Sequence, residues 1–436
     1  MIFATSCKKD NIVVPITPQD SVVRITNNIT TNTTFTSDKK YLLCGFIYVR
    51  DNAILTIEAG TIIKGDKQTV GTLIIERGSK LIAQGTKDKP IVFTSNGPKG
   101  YRTRGDWGGI ILCGKAPVNI ENPQIEGGPT SQYGGTDIHD NSGILKYVRI
   151  EYAGYPFQPD KEINGLTFAG VGDGTEIDYV QVSYSNDDSF EWFGGTVNVK
   201  HIVSLSGLDD DFDTDNGFNG KLQYLLAIRE KSVADISGSN SFESDNDASG
   251  SDNVPITNPI FSNVTVFGPK TTDNNLTSNI SINYKNAMHF RRNTKLNVFN
   301  SVFIGYPNGL LLDGIKCQNF AENGDLKIKN TYIINSDIDK FFNVATNNTW
   351  TKEQLKEWYF TSEFNNDTLK TTNVGLNTNI DINVPVLIPQ SNSIVFGKSS
   401  YDNLNMFFIH EDFIGAFGNE DWTVGWCNFN PQHTDY

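Results

Sequence analysis

A short strand-like phrase recurs seven times along this chain of 436 residues, and it constrains the fold more than any other feature. The phrases are Leu145–Ile150, Ile177–Val182, Val199–Ser204, Leu222–Ala227, Phe261–Val266, Phe299–Ile304 and Ile328–Ile333. Their first residues lie 32, 22, 23, 39, 38 and 29 apart. Each opens apolar and continues with a polar second residue. One strand-like phrase per unit, at spacings in the twenties and thirties, is the signature of a stacked repeat. Such a unit cannot bury its apolar face alone, so neighbours stack and bury it together. The expected architecture is all-β, a parallel β-helix with one phrase per rung and loops that absorb the uneven spacing.

The earlier chain agrees. Ile57-Glu58-Ala59-Gly60 returns 18 residues later as Ile75-Glu76-Arg77-Gly78. Each copy runs into a β-rich stretch that ends on glycine, a residue suited to a corner. The periodic region, 39–336, should form about a dozen coils, a rod on the order of 50–60 Å long at one strand spacing per coil. Residues 8–38, rich in Thr, Asn, Asp and Pro without apolar periodicity, read as a flexible tether. After Ser336 the period changes. Thr351-Lys-Glu-Gln354 is a capping box that opens a short helix over Lys352–Phe360, and the tail is dense in aromatics. Residues 337–436 are therefore expected to cap the open end of the solenoid.

The first residues, Met1-Ile-Phe-Ala-Thr-Ser-Cys7-Lys-Lys-Asp10, place an apolar stretch and small residues before a cysteine and a polar segment. This resembles the end of a bacterial lipoprotein signal. The resemblance assigns 1–7 to a residual signal, with Cys7 as the lipidated residue. Cys44, Cys113, Cys317 and Cys427 read as small buried hydrophobes rather than as disulfide partners.

The net charge is −14 with only 36 Lys and Arg. The clustered bases of a nucleic-acid binder are missing. The charge is uneven: residues 187–252 hold fourteen acids against four bases, so −10 of the −14 sits there. Phe190-Glu191-Trp192-Phe193, Phe212-Asp213-Thr214-Asp215 and Phe242-Glu243-Ser244-Asp245 form a second repeat. As strands in consecutive coils they alternate sides. The three phenylalanines and Trp192 point inward. Glu191, Asp213 and Glu243 form one outward column, and Phe193, Asp215 and Asp245 form the next. Carboxylates stacked about 4.8 Å apart repel by about 1 kcal/mol per pair in water-like surroundings and about 3–4 kcal/mol at an effective dielectric of 20. A cation, a raised pKa or splayed rotamers would offset that, and a solvated acidic rim is the alternative to a metal site. Asp209, Asp210, Asp211, Asp213, Asp215, Glu243 and Asp245 are the expected ligands, and oxygen-only donors point to Ca²⁺. Asp187, Asp188, Glu191, Phe193, Arg291 and Arg292 are candidate ligand-binding residues around them. His201 occupies the position held by Tyr147, Tyr179 and Tyr224 in other rungs, and is expected to be structural.

Gly105–Leu112, Asp187–Val199, Phe290-Arg-Arg-Asn293 through Asn300–Pro307, and Ile414–Gly418 with Trp422–Trp426 together resemble a group of bacterial envelope lipoproteins with right-handed β-helices. The resemblance implies fold and envelope location, not a reaction. The sequence-level expectation is a non-catalytic lipoprotein of the outer membrane, facing the cell surface, that binds glycan or a partner envelope protein. The membrane is reached through the lipid alone. The alternative is a carbohydrate-active enzyme, either a Ca²⁺-assisted polysaccharide lyase or a two-carboxylate glycoside hydrolase. Of the pectin-hydrolase elements only Asp187-Asp188 has a counterpart.

Overall fold

The computed structural model describes residues 22–125, 128–158, 161–271, 279–370 and 374–436. Cys7 and residues 8–21 of the segment expected to be a tether lie outside the described residues. Three parallel ladders wind around one apolar core. Ten strands form the front ladder, one per coil, from Phe46–Val49 through Leu166–Val171, Phe190–Gly195, Phe212–Asp215, Phe242–Ser244, Asn286–Phe290 and Asn308–Leu312 to Phe342–Val344. The remaining long sheet holds 17 strands and makes the other two ladders.

The register explains why the repeats stack. Leu166, Phe190, Phe212, Phe242, Met288, Leu310 and Phe342 are Cα partners in succession, and all are buried in the core. Phe190 and Phe212 stack at 5.9 Å, and Trp192 lies inward between Phe168 and Phe218. Cutting one of these rings to alanine removes about 3–5 kcal/mol.

The seven phrases bend as they pass from the second ladder to the third. Strands Gly143–Glu151, Glu176–Ser183, Val199–Leu205, Lys221–Ile228 and Ile260–Phe267 run through the bend unbroken. At the bend Tyr147, Tyr179, His201, Tyr224, Asn263, Asn300 and Asn330 all have φ between 49 and 65°. That left-handed conformation is costly for a ring-bearing side chain, and stacking offsets it. Tyr147, Tyr179, His201 and Tyr224 lie face to face at 4.5, 4.2 and 4.6 Å. His201 is thus a structural member of the stack. In the later coils asparagine takes the position, because it tolerates this backbone. The sixth phrase is displaced by one residue from its expected alignment: Phe261 pairs with Val298, not Phe299, which puts Asn300 at the bend.

Several boundaries differ from those read in the sequence. Strands Val22–Ile25 and Thr33–Phe35 pair with Lys40–Leu43 and Ile54–Ile57, so the first coil begins inside the segment expected to be a tether. Coils continue past Ser336, since Phe342–Val344 and Asp367–Leu369 still pair in parallel. The helix Lys352–Tyr359 forms with both halves of its capping box made. A second helix, Ile315–Asn323, was not expected; it is bounded by Gly314 and by Gly324 in the left-handed region.

Residues 374–436 do not plug the end. They run back along the outside of the bend as a strap. The side-chain amides of Asn330, Asn300 and Gln223 donate to the carbonyls of Lys398, Ser400 and Ile409 at 2.7–3.0 Å. Gln181 donates to the Asn428 carbonyl, and Lys64 in an early coil donates to the Tyr436 carbonyl. Trp426, fully buried, sits edge-on to Tyr147 and Tyr179. Cys113 and Cys317 are buried, and all four described cysteines are free.

Candidate functional site

The strap lies along the bend, and the candidate site lies on the middle coils of the front ladder. Their strands present three outward positions. The column one residue after the inward ring reads Thr167, Glu191, Asp213, Glu243, His289, Leu311 and Asn343. Two residues before the ring stand Asp188, Asp210, Asn240, Asn286, Asn308 and Lys340. Three residues after it stand Phe193, Asp215, Asp245, Arg291 and Asp313. One edge of this face is walled by two loops that meet at Asn119, whose side-chain amide donates to the Asn246 carbonyl at 2.7 Å.

The carboxylates divide into three groups. In the first, Asp188, Glu191 and Asp213 bring one oxygen each within 4.8 Å of one another, as do Asp187, Asp188 and Asp209. Asp188 and Glu191 are buried, and Oδ1 of both Asp209 and Asp213 is buried without a hydrogen-bond partner. Burial, reinforced by neighbouring acids, pushes Asp188, Asp209, Asp210 and Asp213 well above the usual carboxylate range. Burial followed by Asp245 raises Asp215 to about 7. Neutral groups donate hydrogen bonds to this cluster. The Asp210 backbone N–H donates to Asp188 at 2.8 Å, Asn164 donates to Glu191, and Asn240 donates to Asp210.

The second group carries its own counter-charge. Glu243 meets Arg291 and His289, and Asp245 meets Arg291 at 2.8 Å and Arg292 at 2.9 Å. Burial pushes Glu243 up, but the His289 hydrogen bond and Arg291 hold it below the ordinary value. Burial outweighs the two arginines at Asp245, which stays raised. His289 also bridges to Asp313 at 3.3 Å.

The third is Asp211. It faces the inside of the solenoid with no exposure, bound by Arg229 at 3.0 Å and by the Ser204 hydroxyl at 2.6 Å.

The expected set of seven calcium ligands is therefore corrected. Asp211 is a core residue paired with Arg229, because the strand begins only at Phe212 and simple alternation does not reach back to it. Glu243 and Asp245 already have cationic partners. The acids that converge are Asp209 and Asp213 with Asp187, Asp188 and Glu191, which had been placed in the surrounding ligand set; Asp210 and Asp215 flank them. Phe193 is also corrected. It is 4% exposed and packs with Tyr133 in a small apolar cluster under the 114–142 loop, so it offers a ligand no face. Arg291 and Arg292 serve the local acids. Asn164, Asn240 and His289 were missed as members of the site, and only their place in the register reveals them; Ser237, whose hydroxyl donates to Asp209 at 3.1 Å, comes from a loop.

The cluster can do two things chemically. Oxygen-only donors with buried, unpartnered oxygens suit a hard cation. A two-carboxylate hydrolase would need two of these acids in the roles of general acid and of base or nucleophile. Arg291 is a poor base, since its pKa is raised further by Glu243 and Asp245 despite burial.

No curated protein matches the chain. Among solved structures, the crystal structure of pectate lyase Pel9A matches over 92% of this chain and 86% of that one, at 10% identity and a TM-score of 0.40. Residues 27–387 match the pectate-lyase-like β-helix domain. With most of its length inside that match, and with one strand per coil in each of three parallel ladders, the chain belongs to this family of right-handed parallel β-helices.

Proposed function

We propose that this protein is a lipid-anchored β-helix of the bacterial outer membrane that binds glycan along its front groove, with a calcium ion among Asp188, Glu191 and Asp213. One observation carries the reading: three carboxylates converge, and Oδ1 of Asp213 is buried without a hydrogen-bond partner among the described residues. Leaving buried polar atoms unmade costs free energy, so such an arrangement is kept for something that binds there. When bound, the cation would supply a Lewis-acidic, positively charged bridge to sugar oxygens. Asn164 and Asn240 would orient the carboxylates, and the loops meeting at Asn119 would border the groove.

Two experiments test this. Titration of the purified protein with Ca²⁺ followed by calorimetry should show binding that Asp213→Asn removes. Heat changes no larger than those with NaCl of equal ionic strength would end the cation part of the proposal. For the anchor, Cys7→Ser in the full-length gene should release the protein from the membrane fraction; unchanged fractionation would remove the lipid. The enzymatic alternative keeps support in the family fold. A polysaccharide screen that gave unsaturated products, lost in Asp213→Ala, would replace a binding role with a lyase.

A further inference from the structure

Beyond the acidic coils the sign of the groove reverses. A cavity of about 490 Å³ opens on the C-terminal coils of the front face, bounded by Lys285, His289, Arg291, Lys340 and Lys352. Its one carboxylate, Glu243, is already bonded to Arg291 and His289. Lys285 and Lys352 have no ion pair among the described residues, and Lys340 shares only Asp337. These bases come from separate places: Lys285 precedes one front strand, Lys340 precedes another, and Lys352 opens the terminal helix. In a chain of net charge −14, cations from three elements converge on one hollow. Leu311 lies on the floor in register between His289 and Asn343 and gives an apolar patch.

We infer that this cavity is an anion-binding subsite, in which Lys285, Lys340 and Lys352 take an oxyanion group, a sulfate ester or a carboxylate, carried on a polymer. The ammonium groups supply charge-assisted hydrogen bonds, and Leu311 packs against the ring that bears the group. The cavity lies on the same ladder as the Asp188–Glu191–Asp213 cluster, about three coils further on, so roughly 14 Å away. One chain can therefore cross both. The ligand class is then a polyanionic glycan. For the polymer this rests on the glycan reading above; for the anion it rests on the cavity alone.

The test uses the double variant Lys285→Gln with Lys352→Gln, which removes the charges and leaves polar side chains, and Lys39→Gln as a surface control. Inorganic sulfate is titrated by calorimetry without divalent cation, and sulfated, uronate and neutral polysaccharides are compared by affinity electrophoresis. Sulfate should bind wild type and the control, and bind the double variant at least about tenfold more weakly, since two charge-assisted bonds are lost. Sulfated or uronate polymer should be retarded and neutral polymer should not; which of the two runs slower names the group. Equal sulfate binding by wild type and the double variant would overturn the subsite. Equal retardation of neutral and anionic polymers would overturn the polyanionic class while leaving glycan binding intact. Sulfate binding with no polymer retarded would keep the subsite and defeat the glycan reading.

Discussion

Neighbouring coils of one ladder treat the same residue type in opposite ways. At the rungs of Phe190 and Phe212, Asp188, Glu191 and Asp213 crowd together, and burial and acidic neighbours push Asp188 and Asp213 well above the usual carboxylate range. At the rungs of Phe242 and Met288, Glu243 and Asp245 are equally crowded, yet Arg291, Arg292 and His289 answer them. Backbone, spacing and burial are nearly the same. The difference is whether the counter-charge is built in. Where it is, the acids hold the coils together. Where the acids repel one another, they make the place proposed above for a cation.

The largest effect should come from removing the built-in charge. Arg291→Ala leaves Glu243 and Asp245, whose side chains are 14% and 7% exposed, without their principal partner. Breaking a buried pair this way costs about 3–5 kcal/mol, readable as a large drop in the urea midpoint. A change below 1 kcal/mol would show that these coils do not depend on internal pairing. Next, Ca²⁺ at about a hundred times its dissociation constant should stabilise wild type by about 2.7 kcal/mol. Asp213→Asn should abolish that gain and Asp245→Asn should not. If both variants respond alike, the two regions are not distinct.

The cation-free protein offers a test of opposite sign. Asp213→Asn at pH 8 should stabilise by about 1–3 kcal/mol, because it removes repulsion from the neighbouring acids. A destabilised variant would mean that Asp213 is held by contacts after all. The smallest signal is a pH slope. Asp215 is raised to about 7 by burial and then Asp245. The stability its protonated form contributes is full below the ordinary carboxylate value and is lost as pH rises through about 7, at no more than about 1.4 kcal/mol per pH unit. Glu243, which is lowered, behaves in reverse: its contribution is present above the ordinary value and is lost on acidification. Asp215→Asn should flatten the first slope and leave the second. An unchanged profile would place the titration elsewhere.

Local periodicity made the coils and the front columns legible. Phe190, Phe212 and Phe242 declare themselves by alternation, and Glu191, Asp213 and Glu243 follow from them. Which acids are neutralised was not legible, because partners come from other coils at irregular distances. Arg229 lies 18 residues after Asp211, and Arg291 lies 46 after Asp245. The loops between coils vary in length, so no sequence spacing encodes those meetings. The strap was hidden for another reason. Its contacts depend on single carbonyls and on Trp422 and Trp426 reaching rings hundreds of residues earlier, and nothing periodic marks them.

The strap has a consequence for how the molecule comes apart. In a bare stack each coil feels only its neighbours, so loss can begin at an end and spread one coil at a time. Here the last residues are fastened to an early coil: Tyr436 bonds Glu151 and receives Lys64, and Arg102 reaches Pro431 and Thr434. The polymer is laced along its length, first rungs to final residues. Fraying that reaches the coils between Lys64 and Asn330 must undo the lacing, and with it the contacts along the rest of the bend. A chain built by repetition thereby acquires the all-or-none behaviour of a compact domain, and the open groove rests on a frame that cannot loosen one rung at a time.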